Sequence, residues 1–438
     1  MTPILLLAAV GAIAMQDSTR ITLSAAVDRA LHAHPAVAAA RASADAATAD
    51  VSQAKAAWLP SVSVDGSVNK FQKPMVVWPL HALDLRHPPT FDTELSQASV
   101  GAAYTLYDFG ARGAKVRAAE AQRDAADASL GATEQALVTR TVSSYLRVLT
   151  ARGVLAADDQ RVAALTAEAK RARDRLAAGK AARVDTLRAA AELANAVADR
   201  VNSAAAVDVA EHDLARLIGV EYAALRQSTL SSVKLTAVLN GSDAAMHAGD
   251  ANADVRAASE RAAAALASVN AVKATRLPQF QATTAIIDRS NITGRWLSEW
   301  QVGVGMSWPI YTGGARESAV ARAQASARAA QEQLRLTRLT ADQQVDDARA
   351  SFAAATARAT ALDAAVQQAT EVARITALAR DVGEGTQTDY LIAESALYRA
   401  RSSLVQARHA VIAARVELAR ALGELSRNWI ATSLESQP

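Results

Sequence analysis

Two stretches of this chain, about 111–178 and about 315–382, are rich in alanine, arginine and other good helix formers and contain no proline. Read as continuous helix at about 1.5 Å per residue, each is on the order of 100 Å long. A globular domain has no room for such rods, so they must pack side by side as coiled coils. Aromatic residues make up only 4% of the chain. Few bulky core fillers means close helix contacts through small side chains, not a thick core.

The two rods occupy equivalent places in an internal repeat. Tyr107, Gly110, Ala111 and Arg112 recur as Tyr311, Gly314, Ala315 and Arg316, an offset of 204 residues. At the same offset Gly179, Asp185 and Leu187 recur as Gly383, Asp389 and Leu391, and LARLIG ending at Gly219 recurs as LARALG ending at Gly423. Upstream the offset becomes 218, pairing Leu59 and Pro60 with Leu277 and Pro278, so the first copy carries 14 extra residues. They fall in a segment that holds Pro74, Pro79, Pro88 and Pro89, which predicts an elongated loop over about 70–95. The chain therefore divides into a first repeat over 15–219, a joining segment over 220–250, a second repeat over 251–423 and a tail over 424–438.

Each copy opens with a helical stretch, about 23–57 and about 251–275, followed by two segments that alternate apolar with small or polar residues. In WQVGVGMSW, Trp300, Val302, Val304, Met306 and Trp308 share one face, and Gln301, Gly303, Gly305 and Ser307 the other. SVSVDGSV over 61–68, SVGAAYTL over 99–106 and QFQATTAI over 279–286 follow the same rule. Period two with one apolar face is a strand between lipid or core and water. Gly110 and Gly314 then sit at corners where a strand hands over to a rod. Beyond each rod, Gly179 and Gly383 mark the turn into a return helix.

The N-terminal run from Ile4 to Ala14, ending in Ala12-Ile13-Ala14, predicts a secretory signal over 1–14, although no Lys or Arg precedes it. No later run is long and apolar enough to span a bilayer as a helix. A secreted chain of this kind enters a membrane only as a closed β-barrel, and four strands cannot close one. If these strands lie in lipid, several chains must share one barrel.

The absence of cysteine removes disulfides, thiolate metal sites and the acylated cysteine of a lipoprotein. Net charge is +3 with acids and bases interspersed, which does not favour a nucleic-acid partner. The seven histidines are scattered; His32 and His34 do not share a helix face, so no metal site is expected. Without a nucleophile elbow, zinc-helix or phosphate-loop pattern, neither an enzyme nor a cofactor is expected.

The order of signal, helix, hairpin and long helical hairpin, given twice, resembles the TolC family of outer-membrane efflux channels over nearly the whole mature chain. LSAAVDRALHAHPAV at 23–37 is similar to the family's opening helix, with His34 in place of the usual asparagine before Pro35. The Leu-Pro pairs, the Tyr-x-x-Gly-x-Arg corners with Arg112 and Arg316, and the Gly-x5-Asp-x-Leu turns also match. The resemblance implies a mostly α fold with a small β part. Three chains would share a twelve-stranded transmembrane β-barrel that continues as a periplasmic α-helical tunnel, with 220–250 as an equatorial segment and 424–438 as a periplasmic tail. It also implies an outer-membrane homotrimer that docks with a periplasmic adaptor and an inner-membrane RND-type or ABC pump, and that performs no chemistry.

The same resemblance gives the tips a role. Gly179, Lys180, Gly383, Glu384, Gly385 and Thr386 become adaptor contacts, and Asp185 and Asp389 line the periplasmic constriction. From the residues alone, Asp389 also reads as the acid of a capping box begun by Thr386, whereas Ala182 precludes one before Asp185. Gly385 and Ile392 stand where a gate arginine and a second acid can sit in the family, so the closing linkage is expected to differ. The rival class is a secreted coiled-coil scaffold without a channel. It accounts for the rods but not for two matched hairpins, and the exported substrate (drug, metal or polypeptide) stays open.

Overall fold

The computed structural model describes residues 20–76, 86, 91–180, 182–236, 251–291, 294 and 296–437. The expected signal over 1–14, Pro79, Pro88, Pro89 and residues 237–250 lie outside the described residues. The chain forms two compact units, one of residues 1–41, 129–256 and 337–438, the other of residues 42–128 and 257–336.

The first copy begins with β1 (Arg20–Ile21), α1 (Leu23–Ala33) and α2 (Pro35–Ala56). Where the sequence predicted one helix, the chain breaks at His34, whose φ of −77° and ψ of 125° are extended. The residue before a proline is pushed out of the α region, and Pro35 then starts α2, where its missing N–H is not needed. Two strands follow, β2 (Ser61–Val76) and β3 (Phe91–Tyr107), then the rod α3 (Ala111–Ala177) and its return α4 (Arg183–Ile218). After α5 (Tyr222–Gln227), β4 (Thr229–Leu230) and β5 (Ser232–Leu235), the second copy gives α6 (Ala253–Ala274), β6 (Gln279–Ser290), β7 (Trp296–Ser307), α7 (Ala315–Val382) and α8 (Gln387–Ala421). The chain closes with α9 (Arg427–Ser433) and β8 (Leu434–Gln437). Both rods thus have the extent that the proline-free stretches predicted.

The unit of residues 42–128 and 257–336 carries a four-stranded antiparallel sheet in the order β2-β3-β6-β7. One correction concerns the insertion. It is not simply a loop over 70–95, because β2 and β3 have 16 and 17 residues against 12 each in β6 and β7. Met75 still pairs with Asp92 and Val76 with Phe91. Pro74 is tolerated because it falls where the register shifts between Lys70 and Met75, on a strand at the sheet edge.

The other unit holds the largest apolar cluster. Leu23 and Val27 of α1, Val142 and Tyr145 of α3, Leu214 and Ile218 of α4, Val416 of α8 and Ile430 of α9 are all buried in it. Two ladders of two strands, β1 parallel to β4 and β5 antiparallel to β8, tie the first residues, the joining segment and the last residues together. Residues 427–437 are therefore an ordered helix and strand, not a free tail. The Tyr145 hydroxyl lies 2.8 Å from the Ile21 carbonyl and 2.9 Å from the Ser231 carbonyl and shares its one proton between them, while the Ser231 N–H also donates to Ile21 at 3.2 Å. Along the coiled coils the clusters are small, Ala169, Ala172 and Ala189 in one and Ala196 with Leu165 and Leu391 in another. A Cβ at Gly153 of α3 would meet Val405 of α8 at 2.9 Å, so these two helices touch through glycine.

Candidate functional site

Two regions carry the chemistry that the sequence singled out. The first is the sheet. Its register puts Val64 opposite Val100, Val100 opposite Ile286 and Ile286 opposite Trp300, one apolar row across all four strands. The next row on that face is Val62, Ala102, Thr284 and Val302. These side chains are left in the open: Val64 is 77% and Trp300 76% exposed. The opposite face carries Asp65, Ser99, Ile287 and Glu299 in one row and Ser63, Gly101, Ala285 and Gln301 in another, with Arg289 and Glu299 ion-paired. The alternation read in each strand thus adds up coherently, because antiparallel pairing keeps directly opposed residues on one face. Among the described residues no helix is long and apolar enough to cross a membrane.

The corners join this sheet to the rods. Both copies use two successive left-handed residues: Phe109 and Gly110 with φ of 53° and 83°, Gly313 and Gly314 with φ of 61° and 81°. Phe109 accepts a conformation that a non-glycine residue adopts only at some cost. Around it the first corner is locked. The Arg112 guanidinium donates to Asp108 at 3.1 Å and lies 4.3 Å from the Trp58 ring centre. The second corner has Thr312 in place of Asp108, and among the described residues half-buried Arg316 donates only to the Pro309 carbonyl, at 2.7 Å, in an exposed bond.

The second region is the tip of the helical hairpins, within the unit that contains α4 and α8. Each rod ends in a left-handed glycine, Gly179 at φ 69° and Gly383 at φ 89°. Lys180 N–H then returns to the Arg175 carbonyl at 2.8 Å and Glu384 N–H to the Ala379 carbonyl at 2.9 Å, the bond that terminates a helix at a glycine. Thr386 caps α8: its hydroxyl accepts from Asp389 N–H at 3.1 Å and lies 2.6 Å from the Asp389 carboxylate, to which it donates. Thr386 thus caps α8, but among the described residues the exposed Asp389 carboxylate accepts from the Thr386 hydroxyl rather than from its backbone N–H, so the expected capping box is only half formed. The N-cap of α4 is Ala182, which makes no side-chain cap bond. Asp185 instead is half-buried and lines a cleft of about 400 Å³ with Arg175, Lys180, Arg188 and Arg380. Ile392 is 63% exposed, one turn beyond Asp389 on α8.

Gly385 has a physical reason to be glycine. A Cβ there would stand 3.0 Å from both Ala379 Cβ and the Arg380 backbone nitrogen. An arginine at this position would have to push its neighbours at the end of α7 back by a few tenths of an ångström. Beside it lies a buried ion pair that sequence reasoning missed. Glu168 of α3 and Arg380 of α7 are buried, each side chain 4% exposed, and form an ion pair at 2.9 Å. Gln387 donates to the other Glu168 oxygen at 2.8 Å, and Arg171 adds a contact at 3.2 Å. Arg380 also donates to Asp381 at 2.7 Å and lies 4.0 Å from the Tyr390 ring centre. Burial disfavours the Arg380 charge, but its bonds to Asp381 and Glu168 outweigh that and raise its pKa. The hydrogen bond from Arg380 holds the Asp381 carboxyl below its usual range. Nothing local in the sequence pairs residues 168 and 380.

A family model described as outer membrane efflux protein matches residues 26–220 and 247–424. Outer membrane efflux protein BepC of Brucella suis biovar 1 (strain 1330) is 26% identical over 358 residues, covering 80% of this chain and 73% of that protein. Outer membrane protein TolC of Vibrio cholerae serotype O1 is 23% identical over 390 residues, covering 87% and 86%. Among solved structures, the outer membrane protein VceC of Vibrio cholerae superposes with a TM-score of 0.79 at 22% identity, over 92% of this chain and 96% of that one.

Proposed function

This chain belongs to the outer membrane efflux protein family, and we propose that it is one third of a trimeric exit duct that docks with a periplasmic adaptor and an inner-membrane pump. It is an outer-membrane protein and a passive channel, not an enzyme. The observation that carries the trimer is the sheet: an exposed apolar face over four strands whose outer strands, β2 and β7, pair on one side only. Unpaired edges in hydrocarbon leave backbone groups without partners, so closure needs further copies, and three give the twelve strands of one barrel. The apolar strand length fits. Twelve residues of β7 rise about 40 Å and, tilted by about 40°, span roughly 30 Å, a bilayer core. The same face, wrapped in lipid, disfavours a coiled-coil scaffold in the periplasm.

In this assembly the polar sheet face lines the lumen and the helical hairpins continue it as a tunnel. Asp389, with Asp185, lines the periplasmic constriction, and Gly179, Lys180, Gly383, Glu384, Gly385 and Thr386 form the surface offered to the adaptor. The buried Glu168–Arg380 pair holds the tips closed in place of a linkage through residue 385. The pump is of the RND or ABC type. The test of the assembly is the mass of the detergent-solubilised native channel. A trimer is expected, and a stable monomer that conducts ions would refute the reading. For the constriction, Asp389→Ala with Asp185→Ala is expected to weaken cation selectivity and multivalent-cation block in planar bilayers. Unchanged selectivity in the double variant would leave Asp389 as a helix cap only.

A further inference from the structure

The two tips share a backbone but not a charge. Residues 170–188 carry seven cations and two carboxylates, while the equivalent residues 374–392 carry two cations and three carboxylates. In the second tip both cations are spoken for, Arg374 by Glu371 at 2.7 Å and Arg380 by Glu168 and Asp381. In the first tip Arg175, Lys180 and Arg183 form no ion pair among the described residues, and all three are exposed. Arg175 and Lys180 converge with Arg188 on the 400 Å³ cleft between the tips, whose far wall is the start of α8 at Thr386, Gln387 and Thr388. Arg188 donates to the Thr388 hydroxyl at 2.8 Å and forms no ion pair within 4 Å among the described residues. Asp185 is the one acid lining the cleft. Arg175 lies within Coulombic reach of Asp381, which Arg380 already binds, so the four cations lining the cleft still outnumber its one lining carboxylate. Such a concave polar site favours an anion, and guanidinium favours a planar carboxylate. A cleft of this size takes one or two side chains, not a folded segment.

We propose that this cleft seats an acidic side chain at the tip of the adaptor's helical hairpin, so that the channel selects adaptors carrying a carboxylate there. The proposal rests on the docking reading above and adds the chemistry that the partner must present. The equivalent surface of the second tip, with Glu384 exposed, cannot receive the same group. A docking partner is therefore read by charge at one tip and not at the other.

The test uses the whole channel in lipid nanodiscs and the purified adaptor of its own pump, with affinity measured at rising salt. Arg175→Glu and Lys180→Glu are each expected to weaken binding at least tenfold and to flatten its salt dependence. Lys170→Glu, an exposed charge reversal on the same hairpin outside the cleft, is expected to leave it unchanged. An adaptor with its tip carboxylate replaced by lysine should recover affinity for the Lys180→Glu channel. A wild-type channel that binds adaptor while the cleft reversals do no more than Lys170→Glu would overturn the proposal and leave docking intact. A wild-type channel that binds no adaptor would overturn both. Because the chain has no cysteine, Thr388→Cys places one thiol on the cleft wall. Sulfonate-bearing thiol reagent is expected to modify it about tenfold faster than the trimethylammonium analogue, and bound adaptor should protect it. If millimolar inorganic phosphate slows that reaction but adaptor does not, the cleft is a free-anion site and the proposal fails.

Discussion

Replacing Glu168 by alanine removes the acceptor for three side chains at once: Arg380 at 2.9 Å, Gln387 at 2.8 Å and Arg171 at 3.2 Å. Arg380 would stay in a position that leaves it only 4% exposed, keeping Asp381 and the Tyr390 ring as partners. Breaking a buried pair by deleting one member costs about 3–5 kcal/mol. Arg171 is half exposed and recovers water, and Asp381 retains part of the neutralisation, so the loss belongs near the lower end, about 3 kcal/mol. Applied to the contact between the two hairpins, this raises the population of separated tips about a hundredfold. Two readouts follow: single-channel conductance of the purified channel in planar bilayers, and amide hydrogen exchange over residues 376–390. The variant is expected to conduct more and exchange faster there, with exchange around Tyr145 unchanged. Glu168→Gln, which keeps an acceptor for Gln387 but loses the charge, should fall between. A Glu168→Ala channel with wild-type conductance and wild-type exchange at the tip would refute the assignment of this pair as the tie.

Tyr145→Phe removes the one proton shared by the Ile21 and Ser231 carbonyls, but Ile21 keeps the Ser231 N–H, so stability should fall by about 1 kcal/mol, read as an earlier denaturation midpoint. Gly423→Ala should be worse than Gly383→Ala, because a Cβ at Gly423 would stand 2.5 Å from the Ala251 carbonyl oxygen whereas the space around Gly383 is open; equal loss of folded channel would contradict this. Burial pushes the His409 pKa down, so its contribution is complete above the unfolded value of about 6.5 and is lost as pH falls through the folded value. The fall in stability between pH 7.5 and 5 should therefore be smaller in His409→Gln. Asp381, depressed by its bond from Arg380, keeps its contribution until pH drops below the usual carboxylate range, so tip exchange should accelerate only under stronger acid.

The local periodicities decided much of this protein by themselves. A 3.6-residue pattern without proline fixes a rod, and a period of two fixes which side chains share a strand face; neither depends on what lies across the contact. That is why α3 and α7, the corners at Gly110 and Gly314, the tip glycines and the Thr386 cap of α8 could be read directly. The repeat added equivalence, which told the two hairpins from chance alternation. Tertiary structure decided what joins these pieces. Alanine-rich helix surfaces offer little side-chain shape, so no sequence signal says that Glu168 meets Arg380, or that α9 and β8 return to pair with β5. It also decided where the two copies part company. Phe109 is held left-handed where the second copy has Gly313, Pro74 is absorbed at a register shift, and Gly385 is packed against the end of α7. In each case the energy lies in contacts between residues distant in sequence, which a single chain read in order does not bring together.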